Sequence, residues 1–481
     1  MPINLLSLIN QIFMKISNVI NIKIKKYAIP LLLLLLTSCN RGMQGNLTVP
    51  LRISDNHRFI ETVSGEPFFW LGDTGWLLFS KLNREEAEQY LETRKQQGFN
   101  VIQVMVIHSL GQVNAYGDSA LVRMKLDQPR ITHGKSSWDS VQYDFWDHMD
   151  YIIDLAARKG LYMALVPVWG SNVRSGQVTR LQAGKYARWL AERYRSKPNI
   201  IWINGGDVRG DDSLAVWNII GSAIHTVAKN QLMTYHPFGR TQSSSWFHNQ
   251  AWLDFNMFQS GHRSYDQDAS GFGEDNWRYV AADYAKVPVK PTLDGEPSYE
   301  GIPHGLHDVT QPYWTDADSR RYAYWSVFAG GCGFTYGSNA VMQFYKPGDK
   351  NPAYGARKYW TEAINDPGAG QMQFLKKLML SRSFFDRVPA NDLLDGLELP
   401  KYDYIAITRG NDYILAYTCN GSIIKLNLEK LSWKSYVSSW FNPRTGEISE
   451  KEEHSGIGKV SFDPPGGKVP GNDWVLILDR V

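Results

Sequence analysis

A chain of 481 residues has room for one barrel-sized domain and a smaller companion. Its 51 basic and 48 acidic residues leave a formal charge of only +3, with no basic block beyond the N-terminus, which excludes nucleic acid as a partner. Hydrophobic residues are an ordinary 43%, but aromatics reach 13%, with 17 Trp and 25 Tyr. That richness fits an aromatic core or a carbohydrate binder, because sugar rings present apolar faces that stack on indole and phenol rings.

Residues 1–39 read as a signal peptide outside the fold. Lys15, Lys23, Lys25 and Lys26 precede Ala28-Ile29-Pro30 and six leucines, and Thr37-Ser38-Cys39 follows. A charged region, a short apolar region and a small-residue cleavage site is the export pattern, and the apolar run is too short to span a bilayer. Met14 is an alternative start. The Leu-Thr-Ser-Cys ending resembles a lipobox, which implies acylation of Cys39 and a membrane anchor. Asn40-Arg41-Gly42 carries no acidic run, so the expectation is a lipoprotein on the periplasm-facing side of the outer membrane, with the cell surface as the other option. The remaining Cys332 and Cys419 lie far apart without CxxC spacing and are expected as buried free thiols.

Residues 40–66 read as a linker and lead-in segment, and 67–388 as a barrel. Strands are expected at 68–71, 101–107, 161–168, 200–203, 233–236, 255–259, 292–293 and 333–336. Helical patterns between them include 84–97, 145–159, 181–195, 213–228 and 319–328, with Asn83 as a cap for the first. Eight strands alternating with helices predict an α/β fold, a (β/α)8 TIM barrel. An open doubly wound sheet competes, but its Gly-rich phosphate turn is replaced after the first strand by Gly72-Asp73-Thr74-Gly75-Trp76. From 389 to 481 the texture changes. Short apolar runs at 404–407, 413–417, 423–428, 460–462 and 474–478, separated by Gly, Asn and Pro turns, predict a small C-terminal antiparallel β-sandwich.

Polar and aromatic residues collect where the barrel strands end. In chain order they are Asp73 and Trp76, His108, Trp169, Asn204 and Asp207, His236, Gln259 with His262, Glu296, and Tyr336. Such a rim suits a polyhydroxylated ligand. Individually, Asp73 could be a turn residue, His108 and His236 satisfied histidines at the core edge, and Asp207 a cap or a partner of Arg209. Trp246, Phe247 and Trp314 are further aromatics that could line subsites. Asp207 and Glu296 stand apart, because glycoside hydrolysis needs one carboxyl group to protonate the leaving oxygen and a second to attack or to activate water. Asn204, two glycines before Asp207, could reach the hydroxyl next to the reacting carbon. The two glycines could also let the backbone protrude and compensate for an aspartate where a glutamate is commoner.

Three segments carry a resemblance: Trp70-Leu71-Gly72-Asp73-Thr74-Gly75-Trp76, Ile203-Asn204-Gly205-Gly206-Asp207 and Asp294-Gly295-Glu296-Pro297. Over roughly residues 50–385 the chain resembles the apiosidase-like glycoside hydrolases (family 140), which occur in gut and soil Bacteroidetes and act on side chains of the pectin rhamnogalacturonan II. The resemblance implies Asp207 as acid/base and Glu296 as nucleophile. The fourth- and seventh-strand placement resembles retaining barrel glycosidases, for which the two carboxyl groups stand about 5–5.5 Å apart. Trp440-Phe441-Asn442-Pro443-Arg444-Thr445-Gly446 and Asp473-Trp474-Val475-Leu476 resemble a collagen-binding-type C-terminal β domain. Nothing in the tail suggests collagen, and a stabilising sandwich packed on the barrel is the expectation. The expected partner is an oligosaccharide or polysaccharide, acted on by a monomer without cofactor or metal. His304 and His307, with His236 and His262, would be the donors of a competing metal-dependent hydrolase, although HxxH without a third ligand at known spacing is a weak pattern. A non-catalytic glycan-binding lipoprotein is the other competitor, and turnover separates it from an enzyme.

Overall fold

The computed structural model describes residues 48–267, 271–456 and 458–481. Cys39 and the export segment lie outside the described residues. Among the described residues no helix is long and apolar enough to cross a membrane.

Eight parallel strands form the barrel: Trp70–Thr74, Val101–Ile107, Tyr162–Val168, Ile200–Val208, Met233–Pro237, Asn256–Gln259, Thr292–Asp294 and Gly333–Tyr336. Hydrogen bonding runs unbroken from the fifth strand back through the first and on to the eighth, seventh and sixth. Between the fifth and sixth strands the wall is completed by individual bonds. Asp254 N donates to Met233 O (2.9 Å), Met233 N to Asp254 Oδ2 (2.7 Å) and Thr234 Oγ1 to Phe255 O (2.7 Å). A two-residue strand, Thr241–Gln242, pairs antiparallel with the sixth and makes nine in the sheet. The second and third strands are buried along their whole length, as expected when helices cover one face and the barrel interior the other.

Helices Arg84–Gln96, Phe145–Arg158 and Arg180–Tyr194 each begin with a capping box. In the first, Asn83 Oδ1 accepts from Glu86 N (2.8 Å) while Glu86 Oε2 accepts from Asn83 N (2.9 Å). These caps set where each helix starts, and therefore the length of each loop on the rim above the strand ends.

The lead-in segment is more ordered than a linker. Leu51–Ile53, Ile60–Thr62 and Pro67–Phe68 make a small antiparallel sheet. Leu51, Phe59, Ile60 and Phe68 join the cluster that holds Val101, Tyr162 and Leu232, residues at or just before the starts of strands, so this sheet covers the bottom of the barrel.

Residues 388–480 supply a six-stranded antiparallel sheet and a two-stranded one, Ile424–Asn427 with Lys459–Phe462. Three of the six strands, Val388–Pro389, Ser435–Phe441 and Glu452–Ser455, were not foreseen from the sequence. Strand alternation explains how the domain sits. Tyr413, Leu415, Tyr417, Val475 and Ile477 face the barrel, while Ile414, Ala416, Leu476 and Leu478 face a core shared with Ile424 and Leu426. Against helix Asp316–Phe328, Tyr417 stacks on Tyr324 with centroids 4.7 Å apart. Arg320 grips buried Asp473 through Nε–Oδ2 (2.7 Å) and Nη2–Oδ1 (3.0 Å). A paired, desolvated fork of this kind fixes geometry as well as energy.

Candidate active site

The fourth strand ends in a bulge. Its pairing with the fifth strand shifts between Gly205 and Val208, and Gly205, Gly206 and Asp207 take φ of +86°, +114° and +53°. A Cβ on Gly205 would meet the Tyr235 ring at 2.6 Å, and one on Gly206 the Trp169 ring at 2.5 Å. Only glycine fits at either place, so the bulge is written into the sequence. Asp207 follows in a left-handed conformation that costs a non-glycine residue about 1–2 kcal/mol. Its N–H points at His236 Nδ1, 3.3 Å away.

The seventh strand ends in Asp294, Gly295 and Glu296. Asp294 is fully buried and accepts from Ser260 Oγ (2.6 Å) and Asn276 Nδ2 (3.0 Å). Gln103 Nε2, reaching across from the second strand, holds the Gly295 carbonyl at 2.8 Å. A side chain on Gly295 would collide with Met257. With this backbone pinned, the Glu296 carboxylate meets two imidazoles. His262 Nε2 donates to Oε1 at 3.0 Å, and His236 Nε2 lies 3.0 Å from Oε2 in an off-axis contact. Each ring's Nδ1 faces a backbone N–H, of Asp207 for His236 and of Tyr299 for His262 (3.4 Å). Both Nδ1 atoms are thus acceptors, which assigns the proton of each neutral ring to Nε2, the atom turned to Glu296.

The two carboxyl groups are driven apart. Burial pushes Asp207 up, and the negative charge of Glu296 adds to it, so Asp207 titrates at about 6. Burial would also raise Glu296, but the two imidazoles in contact with it, His236 and His262, outweigh it through hydrogen bonding and charge and hold that carboxyl at about 2. Near neutral-to-acidic pH one group carries a proton while its neighbour is an anion. That is the arrangement for general acid catalysis beside a nucleophile or base.

A cleft of about 660 Å³ opens over the pair. Trp76, His108, Trp169, Gln259 and His262 line it, as expected from their strand ends. Trp76 and Trp169 stand 5.4 Å apart and both pack on the His236 ring, which is itself fully buried and acts through Glu296. Burial pushes the His108 imidazole below its usual value.

Other expected site residues turn away. Asp73 is fully buried beneath the rim, where its Oδ2 accepts from Tyr90 O–H (2.5 Å) and Arg94 Nε (2.7 Å), so it is a structural ion pair and not a sugar ligand. Asn204 spends its amide behind the strand, donating to Trp217 O (2.8 Å) and accepting from Gly205 N (3.0 Å). It sits before the bulge, where the side chain still points to the helix layer. Tyr336 is buried too, its hydroxyl donating to Glu300 Oε2 at 2.6 Å. Phe247 and Trp314 belong to the core, and Trp246 is packed against that core without lining the cleft. His304 stacks on Trp314 at 3.9 Å, and His307 lines the outer cleft beside Tyr354. Among the described residues no group of three or more His, Cys, Asp or Glu is placed to hold a metal ion. Cys332 and Cys419 are buried and unpaired.

The cleft also contains residues that strand ends did not announce. Tyr299 lies beside Glu296, its phenol pushed well above the usual range by burial and then by that carboxylate's charge. Its position three residues after Glu296 was the available signal. Arg240, Arg263 and Lys350 line the walls from loops whose sequence carries no strand pattern, and nothing in the sequence marks them.

Comparison with known proteins agrees with this geometry. Residues 54–386 match a family model described as "Apiosidase-like, catalytic domain". Residues 388–479 match one described as "Putative collagen-binding domain of a collagenase". A solved structure named "Glycoside hydrolase" is 46% identical, with a TM-score of 0.84 over 90% of this chain and 97% of its own. A glycoside hydrolase family 5 structure from Bacteroides vulgatus is 42% identical, with a TM-score of 0.86 over 90% of this chain and 92% of its own. No curated protein matches the chain significantly.

Proposed function

The chain belongs to the apiosidase-like glycoside hydrolases, and from that premise we propose that it removes a sugar from a side chain of the pectin rhamnogalacturonan II by a retaining mechanism. Asp207 is the acid/base and Glu296 the nucleophile. The observation that carries this reading is the opposed titration of the two carboxyl groups over one cleft, Asp207 near 6 and Glu296 near 2.

In the first step the Asp207 proton passes to the glycosidic oxygen as its bond to the anomeric carbon breaks. A Glu296 oxygen forms the new bond to that carbon. In the second step Asp207, now ionised, takes a proton from water, and the water oxygen displaces Glu296. The two imidazole N–H groups favour the Glu296 anion as leaving group in this second step, as they favour it at rest. Trp76 and Trp169 offer stacking faces to the sugar. Arg240, Arg263 and Lys350 suit the carboxylates of a pectic backbone on the leaving-group side.

The test is release of monosaccharide from rhamnogalacturonan II oligosaccharides, with the first-formed anomer read by proton NMR. Release that disappears in both Asp207→Asn and Glu296→Gln, with the configuration retained, supports the reading. Unchanged rates in either variant, or an inverted product, would refute it. We further propose that Cys39 carries the lipid anchor of an exported, monomeric enzyme. Cys39→Ala should then move the protein from the membrane to the soluble fraction.

A further inference from the structure

After the eighth strand the chain passes through the short helix Asn339–Met342 and then runs along the cleft, where residues 349–354 form one wall. Within that wall Asn351 and Tyr354 take φ of +54° and +52°, and Gly355 follows at +61°. A left-handed backbone is uncommon for any residue but glycine and an outlier for a bulky one, so it persists only where its surroundings hold it. Two buried amides do so. Asn339 Nδ2 donates to the Tyr354 carbonyl (2.9 Å) and to Gly301 O (3.0 Å). Gln343 is clasped to Ala353 in both directions, Nε2 donating to Ala353 O (3.0 Å) and Oε1 accepting from Ala353 N (2.7 Å). On the far side a Cβ at Gly355 would meet Val309 at 2.5 Å, and the Arg357 guanidinium lies 3.2 Å from the centre of the Tyr313 ring. The turn is fixed from both ends.

What the turn delivers to the cleft is one phenol. Tyr354 lines the cleft with its ring 5.6 Å from that of His307. Burial, then the negative charges of Glu296 and Asp207, push its pKa above the usual phenol value, so the group is a neutral O–H close enough to feel both carboxyl groups. Among the described residues no protein acceptor takes that O–H; the hydrogen bond Tyr354 makes is through its carbonyl. A donor held in place by its backbone, facing the catalytic pair and without a protein acceptor, is preorganised for an acceptor on a ligand. Asn204, the residue expected to hold a sugar hydroxyl there, is spent behind its strand.

We propose that Tyr354 is a substrate-binding residue whose O–H donates to a hydroxyl of the sugar seated over Asp207 and Glu296, in place of the contact expected from Asn204. The left-handed turn is what aims it there. The inference rests on Asp207 and Glu296 as the catalytic pair and not on the identity of the sugar.

The experiment compares the parent with Tyr354→Phe, which keeps the ring and removes only the O–H. Release of monosaccharide from rhamnogalacturonan II oligosaccharides gives kcat/KM across pH. Tyr354→Phe should lower it about tenfold, the upper end of what one neutral hydrogen bond supplies. The melting temperature and both limbs of the pH profile should stay where the parent has them. Unchanged kcat/KM would overturn the proposal. So would a loss that comes with a shifted limb, because the phenol would then serve the carboxyl groups and not the sugar, or a loss that tracks a lower melting temperature. Should the parent release nothing from these oligosaccharides, Glu296→Gln and Glu296→Gln/Tyr354→Phe are titrated calorimetrically with a panel of other plant-wall oligosaccharides. A glycan bound by the first and about tenfold more weakly by the second would refute the rhamnogalacturonan II reading and leave Tyr354 standing. Equal affinities, or no binding of any glycan, would overturn the role of Tyr354 as well.

Discussion

Two buried carboxylates sit at the ends of barrel strands, Asp73 on the first and Glu296 just beyond the seventh, and their surroundings send them to different work. Asp73 meets a guanidinium, Arg94, and a phenol, Tyr90, both fully buried. Its charge is cancelled where it stands. Glu296 meets two imidazole rings, a hydrogen bond from His262 and a close contact with His236, and its carboxylate still faces the cleft and Asp207. A strand-end acid is left for chemistry when its partners hold it at the cleft, and it is spent on structure when a guanidinium holds it beneath the rim.

The strongest way to break this contrast is to remove each carboxylate in turn. Glu296→Gln should lower kcat by roughly 10⁴-fold or more, as loss of a nucleophile does, with little change in melting. Asp73→Asn should do the reverse. Leaving Arg94 buried without its partner costs about 3–5 kcal/mol of stability, read as a lower melting temperature, while kcat of the folded fraction stays within about threefold. Asp207→Asn comes next, with a loss of about 10²–10⁴-fold in kcat from the missing general acid.

His262→Ala sharpens the contrast from the donor side. Losing one hydrogen bond to a charged group is worth about 1.5–3 kcal/mol, or about 10- to 150-fold in rate if it is felt in full. The Glu296 carboxyl should move up from about 2, shifting the acid limb of the rate profile to higher pH. The smallest effect belongs to Asn204→Ala. Its amide serves only Trp217 O and Gly205 N, so kcat should stay within about threefold while stability falls by about 1 kcal/mol.

Much of this was legible in the sequence, and the failures have physical reasons. The second and third strands are long continuous apolar runs, and their boundaries fell within a residue of those observed. Glu452–Ser455 contains no apolar residue, so no alternation could reveal it. Asp207 and Glu296 were singled out because each ends an apolar run at glycine, and the structure brings both to one cleft. Asp73 satisfied the same rule, and its distinguishing partner, Arg94, lies three turns along a helix whose facing only packing decides. Asn204 was misassigned because its neighbours' positive φ values re-aim the chain one residue later than simple strand counting implies.

The most direct test of the central claim is the pH dependence of kcat/KM in the parent, Asp73→Asn and Asp207→Asn proteins. Asp207 must be protonated to donate, so the account predicts that the rate falls above about pH 6 in the parent and in Asp73→Asn, and that this alkaline limb is absent from the residual activity of Asp207→Asn. An alkaline limb that persists unchanged in Asp207→Asn, or one that disappears in Asp73→Asn, would contradict it.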